Sequence, residues 1–148
     1  MTVHRASNNS IDVTVVSESG LTQEITSGPF RIHADEPVAL GGGGAGPSPY
    51  ELLLASLGAC TSMTLRLYAA RKGWNLERIT VRLRHYRVHA QDCIDCENKT
   101  VLVDRIEREL DLAGSLSDEQ KARLQTIAEK CPVHRTLTSR IDIRTSIL

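Results

Sequence analysis

The sequence predicts an α+β fold built from antiparallel strands and two helices. Three observations carry this. Residues alternate with period two in the N-terminal third and again over 77–112, a long helical repeat lies between Pro49 and Gly73, and a second helix opens at a capping box beginning with Ser117. In chain order, Ile11, Val13 and Val15 alternate with Asp12 and Thr14. Ser17-Glu18-Ser19-Gly20 then turns the chain into Leu21–Thr26, and Ser27-Gly28-Pro29 turns it again into Phe30–Ala34. Short strands joined by tight turns pair antiparallel, so this is a meander. Residues 35–48 hold Gly41-Gly42-Gly43-Gly44 and two prolines but no Gly-Lys-Ser/Thr ending. A phosphate-binding loop is therefore not expected, and the glycines read as a flexible loop, through mobility or close packing.

Pro49 suits the first turn of a helix because its missing N–H is not needed there, Ser48 is a natural N-cap, and Gly73 ends the repeat after Lys72. Leu53, Leu57, Cys60, Thr64 and Leu67 are expected on one face, widened by Leu54, Gly58 and Ala59. So apolar a helix belongs at the centre of a molecule. Small neighbours at Gly58, Ala59 and Ser62 let another helix or a ligand approach the Cys60 sulfur closely.

Residues 77–89 alternate Ile79, Val81 and Leu83 against Arg82 and Arg84. Residues 99–112 alternate less cleanly, and the polar link 90–98 carries Cys93 and Cys96. Arg82, Arg84 and Arg87 read as a solvated strand face. Ser117 and Gln120 form the capping box of the second helix, with Leu124, Ile127, Ala128 and Cys131 on one side. Pro132 cannot continue that helix, so the chain restarts there, with Cys131 beside a new N-terminus where amides and the helix dipole favour a thiolate. Ile141, Ile143, Thr145 and Ile147 alternate as a closing strand.

Composition narrows the function classes. At 148 residues the chain is expected to be one domain, 1–148. Its formal net charge is zero with no basic block, which argues against nucleic acid or an anionic membrane surface as partner. An apolar run such as Leu52–Leu54 is far short of a membrane span, and residues 1–10 lack the apolar core of a signal peptide, so the expected location is cytoplasmic. There, four cysteines read as thiols, metal ligands or redox groups rather than a disulfide framework. Cys93, Cys96, Cys131 and His134 have the paired spacing of a Cys3His zinc set, which stands as one alternative. No cofactor is expected otherwise.

The run from Gly46-Pro47-Ser48-Pro49 through Leu57-Gly58-Ala59-Cys60-Thr61-Ser62-Met63, with Lys130-Cys131-Pro132-Val133-His134-Arg135 some seventy positions on, resembles the OsmC/Ohr superfamily of osmotically inducible and organic hydroperoxide resistance proteins. The likeness is greatest to the OsmC-like branch with the Cys-Pro-Val-His motif. The resemblance implies an intertwined homodimer and thiol-dependent reduction of hydroperoxides, with a dithiol or small thiol as reductant. It makes Cys60 the peroxidatic residue and Cys131 the resolving one.

In the family's peroxidases a glutamate ten residues before the peroxidatic cysteine orients an arginine, but here that position is Tyr50. Glu51 lies one residue on, about 100° around the helix, and is the candidate to take over. Arg31 and Arg135 are the candidate cations by chemistry alone, since a fixed positive charge favours a thiolate. The remaining alternative keeps the fold and has its dimer-interface pocket bind a small apolar ligand without turning it over.

Overall fold

The computed structural model describes residues 10–89 and 101–148, which fall into two compact units divided after Leu52. In the N-terminal unit, β1 (Thr14–Val16), β2 (Gln23–Ser27) and β3 (Phe30–Ala34) form the expected antiparallel meander, in the order β1-β2-β3. Val15, Ile25 and Ile32 sit opposite one another across the three strands. The first strand is shorter than the alternation suggested, because Ile11 and Val13 lie outside the ladder.

The glycine-rich segment is ordered around one carboxylate. Asp35, only 2% exposed, accepts hydrogen bonds from the Thr22 hydroxyl (2.8 Å) and from the amides of Glu36 (2.8 Å), Gly43 (3.1 Å) and Ala45 (3.2 Å). A Cβ at Gly46 would lie 2.1 Å from the His33 carbonyl oxygen, so that glycine is required by close backbone approach. Of the two readings of the glycines, close packing is the one the structure supports.

Helix α1 (Pro49–Lys72) has the bounds its sequence signals set. Ser48 Oγ accepts from the Glu51 amide (3.3 Å) while Glu51 Oε2 accepts from the Ser48 amide (2.7 Å), a reciprocal cap. Gly73 adopts φ +66°, and the Trp74 amide bonds back to the Ala69 carbonyl to close the last turn. By length and composition alone α1 is apolar enough to cross a membrane, which a count of uninterrupted apolar runs understates.

In the C-terminal unit, β4 (Arg78–His89) and β5 (Leu102–Ala113) pair antiparallel, with Leu83 opposite Arg108, Val81 opposite Leu110 and Ile79 opposite Leu112. Helix α2 (Asp118–Ala128) carries the predicted capping box at Ser117 and Gln120. Leu65, Ala69, Leu76, Leu124, Ile127 and Ala128 form the core, so one side of α1 packs on α2 and the sheet. Tyr68 stacks edge-on against Trp74, and its hydroxyl accepts from Arg123 of α2 (3.0 Å).

Two expectations are corrected here. The buried line of α1 is Leu57, Gly58, Thr61, Leu65 and Ala69, not the face centred on Cys60 and Leu67. Leu67 and Met63 are exposed, at 59% and 66%. The element that approaches Gly58 is β4: a Cβ there would lie 2.8 Å from Leu83 Cδ1. The closing strand is also absent: residues 140–148 form no strand, and Ile141, Ile143 and Ile147 are exposed. Alternation supplies strand propensity, but a strand also needs a ladder partner for its main-chain groups, and none is present for this segment among the described residues.

Candidate functional site

Cys131 is the N-cap of a short helix, α3 (Pro132–Leu137), with Pro132 in its first turn, as the Cys-Pro pair predicts. Its sulfur is wholly buried and accepts a hydrogen bond from the His134 amide (3.3 Å). From α1, Thr61 reaches the same sulfur at 3.6 Å, and the Cys60 side chain is near enough to help lower the Cys131 thiol's titration. Both thiols are free, Cys60 half-buried and Cys131 buried. The structure therefore brings the two motif cysteines together although seventy-one positions separate them.

A cation completes the cluster. Arg108, from the middle of β5, donates from Nη1 to Thr61 Oγ1 (2.9 Å) and from Nη2 to His134 Nδ1 (3.4 Å). Because a guanidinium only donates, Nδ1 is the acceptor, and a neutral His134 carries its proton on Nε2. Thr61 Oγ1 also lies 2.7 Å from the Leu57 carbonyl, to which it donates. A hydroxyl has one hydrogen. While it points to Leu57, the oxygen is left to accept from Arg108 and from a Cys131 S–H, and a Cys131 thiolate would draw it round.

Burial pushes the Cys131 thiol up, but the His134 amide, the Thr61 hydroxyl, the Cys60 side chain and the Arg108 charge together outweigh it, and the thiol titrates below its ordinary value. A cavity of about 260 Å³ adjoins this cluster, lined by Leu57, Ile106 and Leu137 on its apolar side and by Arg108, His134 and Thr138 on its polar side. A wider groove of about 880 Å³ between β5 and α2 shares Ile106 and Arg108 with it and is lined further by Leu110, Lys121 and Ala128, with neither cysteine in its wall.

The remaining predicted residues are placed as follows. Arg135 is exposed on α3 and is not among the groups that act on the Cys131 thiol. Arg31 is in the N-terminal unit, 73% exposed at its side chain and 4.0 Å from Glu24. Glu51 is exposed and engaged in the cap of α1. Cys93 and Cys96 lie outside the described residues, and among the described ones no group of three His, Cys, Asp or Glu side chains is placed to hold a metal ion. Sequence reasoning missed Thr61 and Arg108. The signal for Arg108 was parity: it falls in register with Ile106, Leu110 and Leu112, the inward positions of β5.

Fold and site together define an α+β protein in which a long helix presents one cysteine to a second at the start of a short helix, with an arginine from the sheet behind them. The chain belongs to the OsmC-like protein family, whose model matches residues 41–146. Among solved structures, the OsmC-like protein of Mycoplasma pneumoniae is 22% identical with a TM-score of 0.70, covering 88% of this chain and 89% of that one. An organic hydroperoxide resistance protein OsmC from Legionella pneumophila is 17% identical with a TM-score of 0.64, covering 92% and 94%. An organic hydroperoxide resistance protein from Elizabethkingia anophelis is 19% identical with a TM-score of 0.64, covering 93% and 94%. At these identities the likeness is one of fold. Among curated proteins, none matches the chain significantly.

Proposed function

We propose that the chain is a thiol-dependent reductase of organic hydroperoxides, with Cys60 as the peroxidatic and Cys131 as the resolving residue. The observation that carries this reading is the placing of Cys60 beside Cys131, with Thr61 and Arg108 at the Cys131 sulfur and a small, half-apolar cavity next to them. The Cys60 thiolate attacks the outer oxygen of the hydroperoxide, the O–O bond breaks to leave a sulfenic acid on Cys60, and the departing alkoxide takes a proton from water to leave as the alcohol. Cys131, as a thiolate, then attacks that sulfur, the S–O bond breaks as the disulfide forms, and the departing hydroxide takes a proton from solvent to leave as water. Both steps need a thiolate, and the donors around Cys131 favour one at the resolving position. For Cys60 the proposed cation is Arg31 or Arg135 and the proposed carboxylate Glu51, while at Cys131 the cation is Arg108. The family's hydroperoxide resistance members support the substrate class.

The same reading makes the chain one domain, since α1 runs unbroken across the division after Leu52. It also makes the protein a cytoplasmic homodimer re-reduced by a thiol or dithiol. Exposed apolar residues on α1 (Met63, Leu67) and on the N-terminal sheet (Val15, Ile32) support burial by a second copy. The test is brief treatment of reduced protein with cumene hydroperoxide, followed by peptide mass mapping. A Cys60–Cys131 disulfide is expected, with Cys60→Ser inert and Cys131→Ser trapping an oxidised Cys60. Two alkylatable motif thiols after treatment, or oxidation confined to Cys93 and Cys96, would overturn the assignment.

A further inference from the structure

The two sulfurs of the pair differ in access and in what faces them. Cys131 has no exposed surface, whereas Cys60 is half-buried on α1. The His134 amide at 3.3 Å and the Thr61 hydroxyl at 3.6 Å converge on Cys131, and Arg108 stands directly behind Thr61 at 2.9 Å. These groups are fixed by the folded chain: an N-cap, a mid-helix side chain and an inward strand position.

A disulfide is opened by a thiolate that approaches one sulfur in line with the S–S bond and expels the other. The sulfur attacked must be reachable, and the thiolate expelled leaves faster the better it is stabilised. We propose that, in the oxidised protein, the reducing thiol attacks the Cys60 sulfur and Cys131 departs as a thiolate into the donor set of Thr61, the His134 amide and Arg108. This rests on the Cys60–Cys131 pairing proposed above and adds the direction of its reduction.

The step balances as written. The reductant thiolate RS⁻ forms a bond to Cys60 Sγ, the Cys60–Cys131 bond breaks, and its electron pair stays on Cys131. A second RS⁻ then releases Cys60 as thiolate and yields RSSR. Arg108 touches neither attacking atom. It is a positioning residue that acts through Thr61 and His134, holding a positive charge where the leaving sulfur becomes negative.

The test makes the disulfide without peroxide, by oxidising the full-length protein with diamide, so that a failure of the peroxidase reading does not impair it. Oxidised protein is mixed with limiting glutathione, quenched in acid within milliseconds, unfolded, alkylated with N-ethylmaleimide at low pH and mapped by peptide mass. Glutathione is expected on the Cys60 peptide and maleimide on the Cys131 peptide, with the reverse pattern at least roughly tenfold rarer. Glutathione on Cys131 in equal or greater amount overturns the proposal, as does failure of diamide to join Cys60 to Cys131. Arg108→Met is expected to slow opening roughly tenfold at neutral pH and to move the Cys131 titration upward, with Arg108→Lys intermediate. Should Arg108→Met not fold, Thr61→Val, which removes the oxygen between Arg108 and the sulfur, must slow opening in the same direction. An unchanged rate in every folded variant overturns the role of Arg108.

Discussion

Replacing Thr61 by valine tests the site as a physical object before any enzymology is done. The side chain is wholly buried, and valine keeps its branched shape, so packing on α1 is nearly conserved. What disappears is Oγ1, which accepts from Arg108 at 2.9 Å and meets the Cys131 sulfur at 3.6 Å. A hydrogen bond to a charged group contributes about 1.5–3 kcal/mol, and removing one partner leaves the other with its desolvation unrelieved. Arg108 keeps its bond to His134 and is only part-buried, which puts the loss at the lower end, about 1–2 kcal/mol. The lost bond to the Leu57 carbonyl adds little, because a side-chain back-bond of this kind bends a helix rather than holding it. In a chain of this size that is a fall in Tm of roughly 3–8 °C. Urea unfolding should show the midpoint moving with its slope unchanged, and thiolate absorbance should show Cys131 titrating at higher pH than in the native protein or in Thr61→Ser. A midpoint that stays put or rises, together with an unmoved titration, would refute the claim that Thr61 couples Arg108 to the thiol.

Asp35 should govern an acid limb of stability. The Thr22 hydroxyl is the largest influence holding its carboxyl below the usual carboxylate value; burial opposes this, and the amides of Glu36, Ala45 and Gly43 add to it. With the folded value lowered, the unfolded chain binds the proton first, so the stabilisation is complete above the ordinary carboxylate value and is lost as pH falls through the folded one. Denaturation midpoints against pH should flatten over that window in Asp35→Asn, and an identical profile would contradict the role. Gly58→Val should destabilise by about 1–3 kcal/mol through contact with Leu83, with partial recovery in combination with Leu83→Ala; strict additivity in that double-mutant cycle would count against the contact. Light scattering at micromolar concentration should return near twice the 16.3 kDa of one chain, and a folded monomer would contradict the dimer.

The parts legible in the sequence were those with local chemical markers. Pro49, Gly73 and Ser117 are stop and start signals whose meaning does not depend on the rest of the chain, and the helices begin and end where they say. Cys131 before Pro132 is likewise a local statement, and it correctly placed the thiol at a helix start. The buried side of α1 was not local. Apolar and small residues occur on most of its circumference, so periodicity could not choose between a line through Cys60 and one through Thr61; packing on α2 and Leu83 chose. Arg108 was hidden because Glu107 and Glu109 flank it, and a run of alternating charges reads as a solvated face. The closing strand failed for the opposite reason: its pattern was clear, but no pattern guarantees a neighbour.

The pairing of β4 with β5 has a consequence for the sign of the charge beside the thiols. On the outer face of that ribbon Arg82 sits opposite Glu109 and Arg84 opposite Glu107, the latter joined by an ion pair of 3.0 Å. On the inner face Arg108 is opposite Leu83. A shift of one residue in β5 would exchange its two faces, sending Arg108 to water and turning the acidic neighbours Glu107 and Glu109 toward Cys131. A thiolate would then meet carboxylates instead of a guanidinium. Matched opposite charges on the outside disfavour that slip, so the polarity of the inner site is secured by pairs on the far side of the sheet that never touch a sulfur.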